Sequence, residues 1–235
     1  MKLTILGTPI GNLEDVTIRG LRTIFESKII LAEDTRSYSR LKGLIKQRFL
    51  ETLKTLEIAY DTDQMVTSYR DQNHDRVIER ILDILRSGEE VTLVSDAGMP
   101  GISDPGFKLI RSVIEAGFEV DVIPSTTAIA PALILSGLPT DRFTFLGFLP
   151  KQKGKAIKLI EKDIEERTVV FYESPFRIKK VIDNIFESYP EIDVALVGEI
   201  TKKFQSTYRG KIADVKAAIK DKKFKGEWVI CLRKL

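Results

Sequence analysis

Residues 90–107 read Glu90-Val-Thr-Leu-Val-Ser-Asp-Ala-Gly-Met-Pro-Gly-Ile-Ser-Asp-Pro-Gly-Phe107. The apolar run Val91–Ser95 has the composition of a strand buried on both faces. It runs straight into a loop with three glycines, two prolines and two aspartates. Helical spacing then starts at Phe107 and ends before Gly117. A buried strand, a shaped loop and a helix are the parts of a βαβ unit, so this stretch predicts a parallel sheet covered by helices.

The same order recurs on either side. Lys2–Leu6 and Lys28–Ala32 are predicted strands, followed by helical spacing over Val16–Phe25 and Thr35–Ile45. Residues 46–64 carry only a weaker helical piece around Phe49, Leu53 and Leu56. Asp75–Ser87 is amphipathic, with Val77, Ile78, Ile81, Leu82, Ile84 and Leu85 on its apolar side and Gly88 closing it. Glu119–Ile123 is a further strand, and Thr126–Ser136 an apolar helix ending at Gly137. Composition shifts at Gly147–Gly154, where Pro and Gly punctuate the chain, which puts a domain boundary there: residues 1–147 and 148–235. In the second part, helices are expected over Lys155–Ile164, Phe176–Phe186 and Ile212–Lys220. Strands are expected over Thr168–Tyr172, Val194–Thr201, Gln205–Arg209 and Trp228–Leu232. Two of these follow one another without a helix, which implies a mixed sheet.

The 235 residues are 43% hydrophobic and 30% charged, the balance of a folded, soluble chain. No apolar run is long enough to span a membrane, and Met1–Gly7 reads as a first strand rather than a signal sequence, so the cytoplasm is the expected compartment. One cysteine, Cys231, leaves no internal disulfide and no multi-cysteine metal site. It lies in an apolar strand pattern and reads as core. The single histidine, His74, stands at a helix start and reads as a surface or capping residue. Chemistry therefore falls to carboxylates, lysines, hydroxyls, backbone groups or a bound cofactor, with no metal expected. Charge is unevenly divided: residues 1–150 carry 17 Lys and Arg against 21 Asp and Glu, residues 151–235 carry 20 against 13. A basic second half favours a polyanionic partner, nucleic acid first among them.

In an open α/β sheet, ligands bind beyond the carboxyl ends of the strands. The loops that fall there are Gly7–Asn12, Ala32–Arg36, the stretch up to Gly106, Pro124–Ala128 and, in the second half, Phe171–Pro175. Each has a plain structural explanation as turn punctuation, with Asp104 or Thr126 capping the next helix. Several such loops on one sheet edge instead suggest a ligand site. Glycines let a ligand approach the backbone and prolines fix the loop shape. Neither the dinucleotide fingerprint nor the phosphate-binding Gly-x-x-x-x-Gly-Lys motif is present.

Taken in order, these stretches resemble the tetrapyrrole methylase superfamily, and within it the branch that methylates ribosomal RNA on a cytidine 2′-oxygen. The resemblance rests on Thr8–Asp15, Ala32–Arg36, Val94–Gly106, Gly137–Phe143, Gly147–Pro150, Phe171–Ser174, Gly198–Lys202 and Lys225–Glu227, which cover nearly the whole chain. It implies two α/β domains, the first with a parallel sheet and the second with a mixed one, and S-adenosylmethionine in the cleft between them. A homodimer, and the small ribosomal subunit with its 16S rRNA as partner, are also implied. Carried onto this sequence, the loop with Gly98, Met99 and Ile102 corresponds to the one that holds the methionine end. Pro9, Thr127 and Ala128 line the same cleft, and Tyr172 and Gly226 close over the adenosine. Glu33, Asp34, Asp96, Asp104 and Glu173 are the carboxylates that could accept the proton of a ribose hydroxyl, with Asp34 and Asp96 favoured. Arg36 and Lys202 could hold phosphate. Three features depart from the family's pattern: Met99 stands where it has Thr, Pro124-Ser125-Thr126 where it has Pro-Gly-Pro, and the helical segment many members carry after Lys-Gly-Glu is not in this sequence. Two other functions fit parts of the pattern: a methyltransferase acting on a small tetrapyrrole, and an RNA-binding module with weak or no turnover.

Overall fold

A computed structural model describes residues 1–60, 63–70 and 74–234, and divides the chain into two compact units, Met1–Thr126 and Thr127–Leu235. The first unit contains β1 (Lys2–Leu6), α1 (Ile18–Glu26), β2 (Ile29–Ala32), α2 (Thr35–Arg48) and α3 (Leu50–Thr55). It continues with β3 (Met65–Ser68), α4 (His74–Arg86), β4 (Val91–Val94), α5 (Phe107–Glu115) and β5 (Glu119–Ile123). His74 opens α4, and the role expected of its side chain lies outside the described residues.

Strand order is β3-β2-β4-β1-β5 and every pairing is parallel. Successive side chains on a strand face opposite ways, and the sequence uses this at each central strand. Leu3, Ile5, Ile29, Leu31, Val91 and Leu93 point into one core, closed by α4 and α5 through residues such as Ile81, Leu85, Leu109 and Val113. Leu6, Ile30, Ala32 and Val94 point into a second core, closed by α1, α2 and α3 through Leu21, Ile24, Phe25, Ile45 and Leu53. Burying one such side chain contributes about 1.5–3 kcal/mol. This is why the central strands read as largely apolar runs, interrupted at the buried Thr4 and Thr92.

The second unit holds α6 (Ile129–Ser136), β6 (Phe143–Phe148), α7 (Lys153–Glu161), β7 (Thr168–Glu173) and α8 (Ile178–Ser188), then β8 (Asp193–Gly198), β9 (Ser206–Lys211), α9 (Ile212–Ile219) and β10 (Trp228–Arg233). Its sheet runs β6-β7-β10-β8-β9. Only β6 and β7 pair in parallel; the other neighbours are antiparallel, as a mixed sheet requires. Cys231 is buried within β10, and burial pushes its thiol up to about 12, the state of an inert core residue.

The units divide at Thr126/Thr127 instead of the expected 147/148. The reason is packing: α6 lies against β7, β8, β9 and β10, and β6 is an edge strand of the second sheet. The Pro- and Gly-rich stretch after β6 marks a strand-to-helix turn, not the end of a folding unit.

Candidate active site

In the first unit β1 and β4 are neighbours, but α1 after β1 and α5 after β4 lie on opposite faces of the sheet. The loops leaving them therefore part, which is the topological switch point where open α/β sheets bind ligands. Here the two loops are tied together. The Thr8 N–H donates to the Gly98 carbonyl at 2.9 Å, and the Gly98 N–H returns a bond to the Thr8 carbonyl at 3.1 Å. The loop after β5 joins them, since the Gly7 N–H donates to the Ile123 carbonyl and the Thr126 hydroxyl donates to the Thr8 carbonyl at 3.3 Å.

Gly7 is where these loops meet. A Cβ there would collide with the Met99 sulfur, and it would lie 2.7 Å from the Ser125 Cβ and 3.0 Å from its backbone nitrogen. Met99 and Ser125, two of the residues that depart from the family's pattern, thus both border one glycine. Pro9, two residues after Gly7, is buried. The loop after β4 is built from unusual backbone: Gly98 has φ +80, Gly101 φ +83, and Ser103, with a full side chain, φ +64. A non-glycine residue in that region costs on the order of 1–2 kcal/mol, so the surrounding loop must hold it. Ile102 sits between them with 47% of its surface exposed.

Capping differs from loop to loop. The N-cap residues of α5 and α6, Gly106 and Ala128, make no side-chain cap bond; Thr126 bonds back to Thr8, and the Thr127 hydroxyl receives the Ile129 N–H at 3.4 Å. Asp34, by contrast, is the N-cap of α2. Its Oδ1 accepts the N–H groups of Arg36 (2.8 Å) and Ser37 (3.2 Å), and its Oδ2 accepts the Arg70 guanidinium at 2.7 Å. Those two backbone donors, with the charges of Arg70 and Arg36 adding to them, hold the Asp34 carboxyl below the usual range. Both oxygens are occupied by structure, and the group is made less basic. Arg36 is exposed on the first turn of α2. Asp96 has a different setting. It is exposed at the carboxyl end of β4, directly after the buried Ser95.

In the second unit, Tyr172 packs edge-on against Phe145, with ring centroids 5.0 Å apart, and against Phe148 at 5.5 Å. Gly226 has φ +68 and the Glu199 carboxylate fills the space a Cβ would need. Lys202 lies beside it, donating to Glu199 and Glu227 at 3.0 Å each. Partial burial pulls its pKa down, but the hydrogen bonds from those two carboxylates outweigh this and raise it. Lys202 thus holds the β8–β9 turn to the start of β10, and two carboxylates already neutralise it. Thr127 and Ala128 stand at the start of α6.

Sequence reasoning passed over Arg70 and the hydroxyls of Thr8 and Ser125. Thr8 Oγ1 and Ser125 Oγ are buried and without a hydrogen-bond partner. Buried polar atoms are usually paired, so these two retain unspent capacity beside the β1–β4 switch. Among the described residues, no group of three or more His, Cys, Asp or Glu could hold a metal ion, and no helix is long and apolar enough to cross a membrane.

A parallel α/β unit with three loops tied together at its switch point, followed by a mixed-sheet unit, defines the class. Residues 2–216 match the family model for Tetrapyrrole (Corrin/Porphyrin) Methylases, and the chain belongs to that family. A protein of Thermotoga maritima named "Ribosomal RNA small subunit methyltransferase I" is 39% identical over 98% of this chain and 97% of its own length. One of the same name from Halalkalibacterium halodurans is 38% identical over 97% of this chain and 74% of its own. Among solved structures, a uroporphyrin-III C-methyltransferase of Thermus thermophilus in complex with S-adenosylhomocysteine shares the fold. Its TM-score is 0.62 and its identity 16%, covering 100% of this chain and 98% of that one.

Proposed function

We propose that this protein transfers the methyl group of S-adenosylmethionine to the ribose 2′-hydroxyl of a cytidine in small-subunit (16S) ribosomal RNA, in the cytoplasm and as a homodimer. The observation that carries this proposal is kinship over 97–98% of the chain, at 38–39% identity, with proteins named as small-subunit rRNA methyltransferases. The residues fit such a cofactor. The buried hydroxyls of Thr8 and Ser125 have bonding capacity to spare, and Gly98 and Gly101 adopt positive φ angles without a side chain to keep a ligand off the backbone. A zwitterionic amino-acid moiety needs both kinds of group. Pro9, Met99, Ile102, Thr127, Ala128, Tyr172 and Gly226 are the further residues assigned to it.

When bound, S-adenosylmethionine supplies a methyl group on a sulfonium, so an O–CH3 bond forms as the S–CH3 bond breaks and S-adenosylhomocysteine is released. The protein's tasks are then orientation and proton transfer. Holding a hydroxyl in line with the reacting carbon supplies much of the acceleration. Asp96 takes the hydroxyl proton on its carboxylate; it is the better placed of the two favoured aspartates because Asp34 is committed to its cap and to Arg70. Arg36, exposed on α2, is assigned to substrate phosphate, and Lys202 to ordering the turn beside Gly226.

The test uses tritiated S-adenosylmethionine with small ribosomal subunits from cells lacking this protein, and a uroporphyrin-type tetrapyrrole as the competing acceptor. Label should pass to the subunits and not to the tetrapyrrole. Asp96→Asn should lower kcat by about 10²-fold, the usual lower range for losing a general base, while calorimetry finds the affinity for S-adenosylhomocysteine unchanged. Transfer to the tetrapyrrole alone would replace this function with the small-substrate one.

A further inference from the structure

Within the second unit, Trp228 at the start of β10 pairs with Glu173 at the end of β7 and with Gly198 at the end of β8. That register brings three connections to one end of the sheet: residues 174–177, 199–205 and 220–227. The last contains Lys220-Asp-Lys-Lys-Phe-Lys-Gly226, and its shape is fixed from within. The Phe224 ring meets the Trp228 ring edge-on at 4.8 Å, the Trp228 indole N–H donates to the Lys225 carbonyl at 2.8 Å, and Gly226 packs on Glu199. With Phe224 as the anchor, Lys222, Lys223 and Lys225 are left exposed. They have no carboxylate partner among the described residues.

These lysines, with Lys179 and Phe176, line a groove of about 600 Å³. Phe176 is 94% exposed, and Phe204, on the neighbouring 199–205 turn, is 75% exposed. Lys179 donates to the Lys220 carbonyl at 2.6 Å, a neutral acceptor that holds it in place. The acidic groups at this end are largely spent: Glu173 is buried, while Glu199 and Glu227 hold Lys202. Asp221 is the exposed carboxylate within the lysine segment.

We infer that this groove binds a single-stranded RNA segment, with a base stacked on Phe176 and phosphates along Lys179, Lys222, Lys223 and Lys225. A positively charged groove that carries exposed aromatic faces is how single strands are held without sequence readout, each stacked base strengthening binding about five-fold or more. A concave surface suits a nucleic-acid strand better than a lipid surface, which is met by a convex apolar face. The inference rests on the proposed RNA substrate and adds a docking surface remote in sequence from the loops of the first unit.

The test is fluorescence anisotropy of the full chain with a labelled 10-nucleotide oligocytidylate across a KCl series, with methyl transfer to small subunits measured in parallel. Phe176→Ala should weaken oligonucleotide binding about tenfold with little change in its salt slope. The double variant Lys222→Glu, Lys223→Glu should weaken it and reduce the slope of log K against log[salt] by about 0.7 for each lost phosphate contact. Arg86→Glu, on α4 of the first unit, controls for charge. Binding by both groove variants that matches wild type, or no binding by wild type, would overturn the inference. Loss of sedimentation with vesicles of 30% phosphatidylserine, with RNA binding intact, would overturn it in favour of a lipid surface. If wild type binds RNA through the groove yet methylates no subunit, the groove stands and the proposed function fails. If it methylates and the variants bind and methylate equally well, the function stands and the groove fails.

Discussion

Gly7→Ala is expected to lower S-adenosylmethionine affinity and kcat/KM by about 100-fold, the scale of loss when a site is displaced by about 1 Å. The added methyl has no space. The Met99 sulfur could rotate away, but the Ser125 backbone nitrogen at 3.0 Å belongs to the loop itself. Relief therefore moves the loop after β5 away from the loop after β1, and strains the paired bonds between Thr8 and Gly98 that tie in the loop after β4. Overpacking of this kind also destabilises by about 1–3 kcal/mol, which a thermal melt would register. Calorimetric titration with S-adenosylhomocysteine separates the effects. Binding equal to wild type would mean that Gly7 is a structural turn and the three loops are not one site.

The second large effect expected is a pH-dependent gain in stability on Glu173→Gln. Glu173 ends β7 with 2% of its surface exposed, and its Oε2 has no hydrogen-bond partner. Burial raises its pKa above the ordinary 4.5, and the Ser174 N–H and the Arg177 guanidinium offset this only in part. The folded state thus binds the proton more tightly than the unfolded state, so this site loses stability as pH rises from about 4.5 through the folded pKa. The glutamine keeps the acceptor for Ser174 and removes the buried charge. Its advantage should be absent below pH 4, grow through the acid range, and level off at about 1 kcal/mol or more, read as about 2–4 °C in Tm. Melts that run parallel at all pH values would contradict the assignment of a buried carboxylate that titrates high.

How much of this was legible in the sequence differs by element. The central strands announced themselves because both faces are buried, as in Ile29–Ala32 and Val91–Val94. The edge strand Met65–Ser68 went unassigned because none of its residues is fully buried and Thr67 and Ser68 carry no apolar signal. Phe143–Phe148 was passed over for a related reason: it is also an edge strand, its register shifts between Phe145 and Phe148, and Gly147 has φ +64. The boundary misled because Pro and Gly mark turns whether or not a unit ends there, while the affiliation of α6 is settled by distant strands β7 to β10.

The candidate site was legible as loops but not as contacts. Strand order decides which loops part company and which are tied, and no local pattern reveals that β4 lies between β2 and β1. Asp34 was noticed, but the arginine that binds it, Arg70, is 36 residues away. Nor did spacing distinguish Asp96, exposed beyond its strand, from Asp34, which is spent on a helix cap. Lys202 attracted attention for its charge, whereas two carboxylates occupy it and the lysines of 222–225 have none among the described residues. Which charges remain available is a property of the fold.

The atom that receives the methyl group distinguishes ribose from base methylation. Small subunits lacking the modification would be incubated with the protein and methyl-labelled S-adenosylmethionine, the rRNA digested with nuclease, and the labelled fragments sequenced by mass spectrometry before and after alkaline hydrolysis. Label is expected on one cytidine, with an alkali-resistant linkage on its 3′ side, because a methylated 2′-oxygen cannot attack the phosphate. Label on a base, with every linkage cleaved by alkali, would contradict ribose methylation.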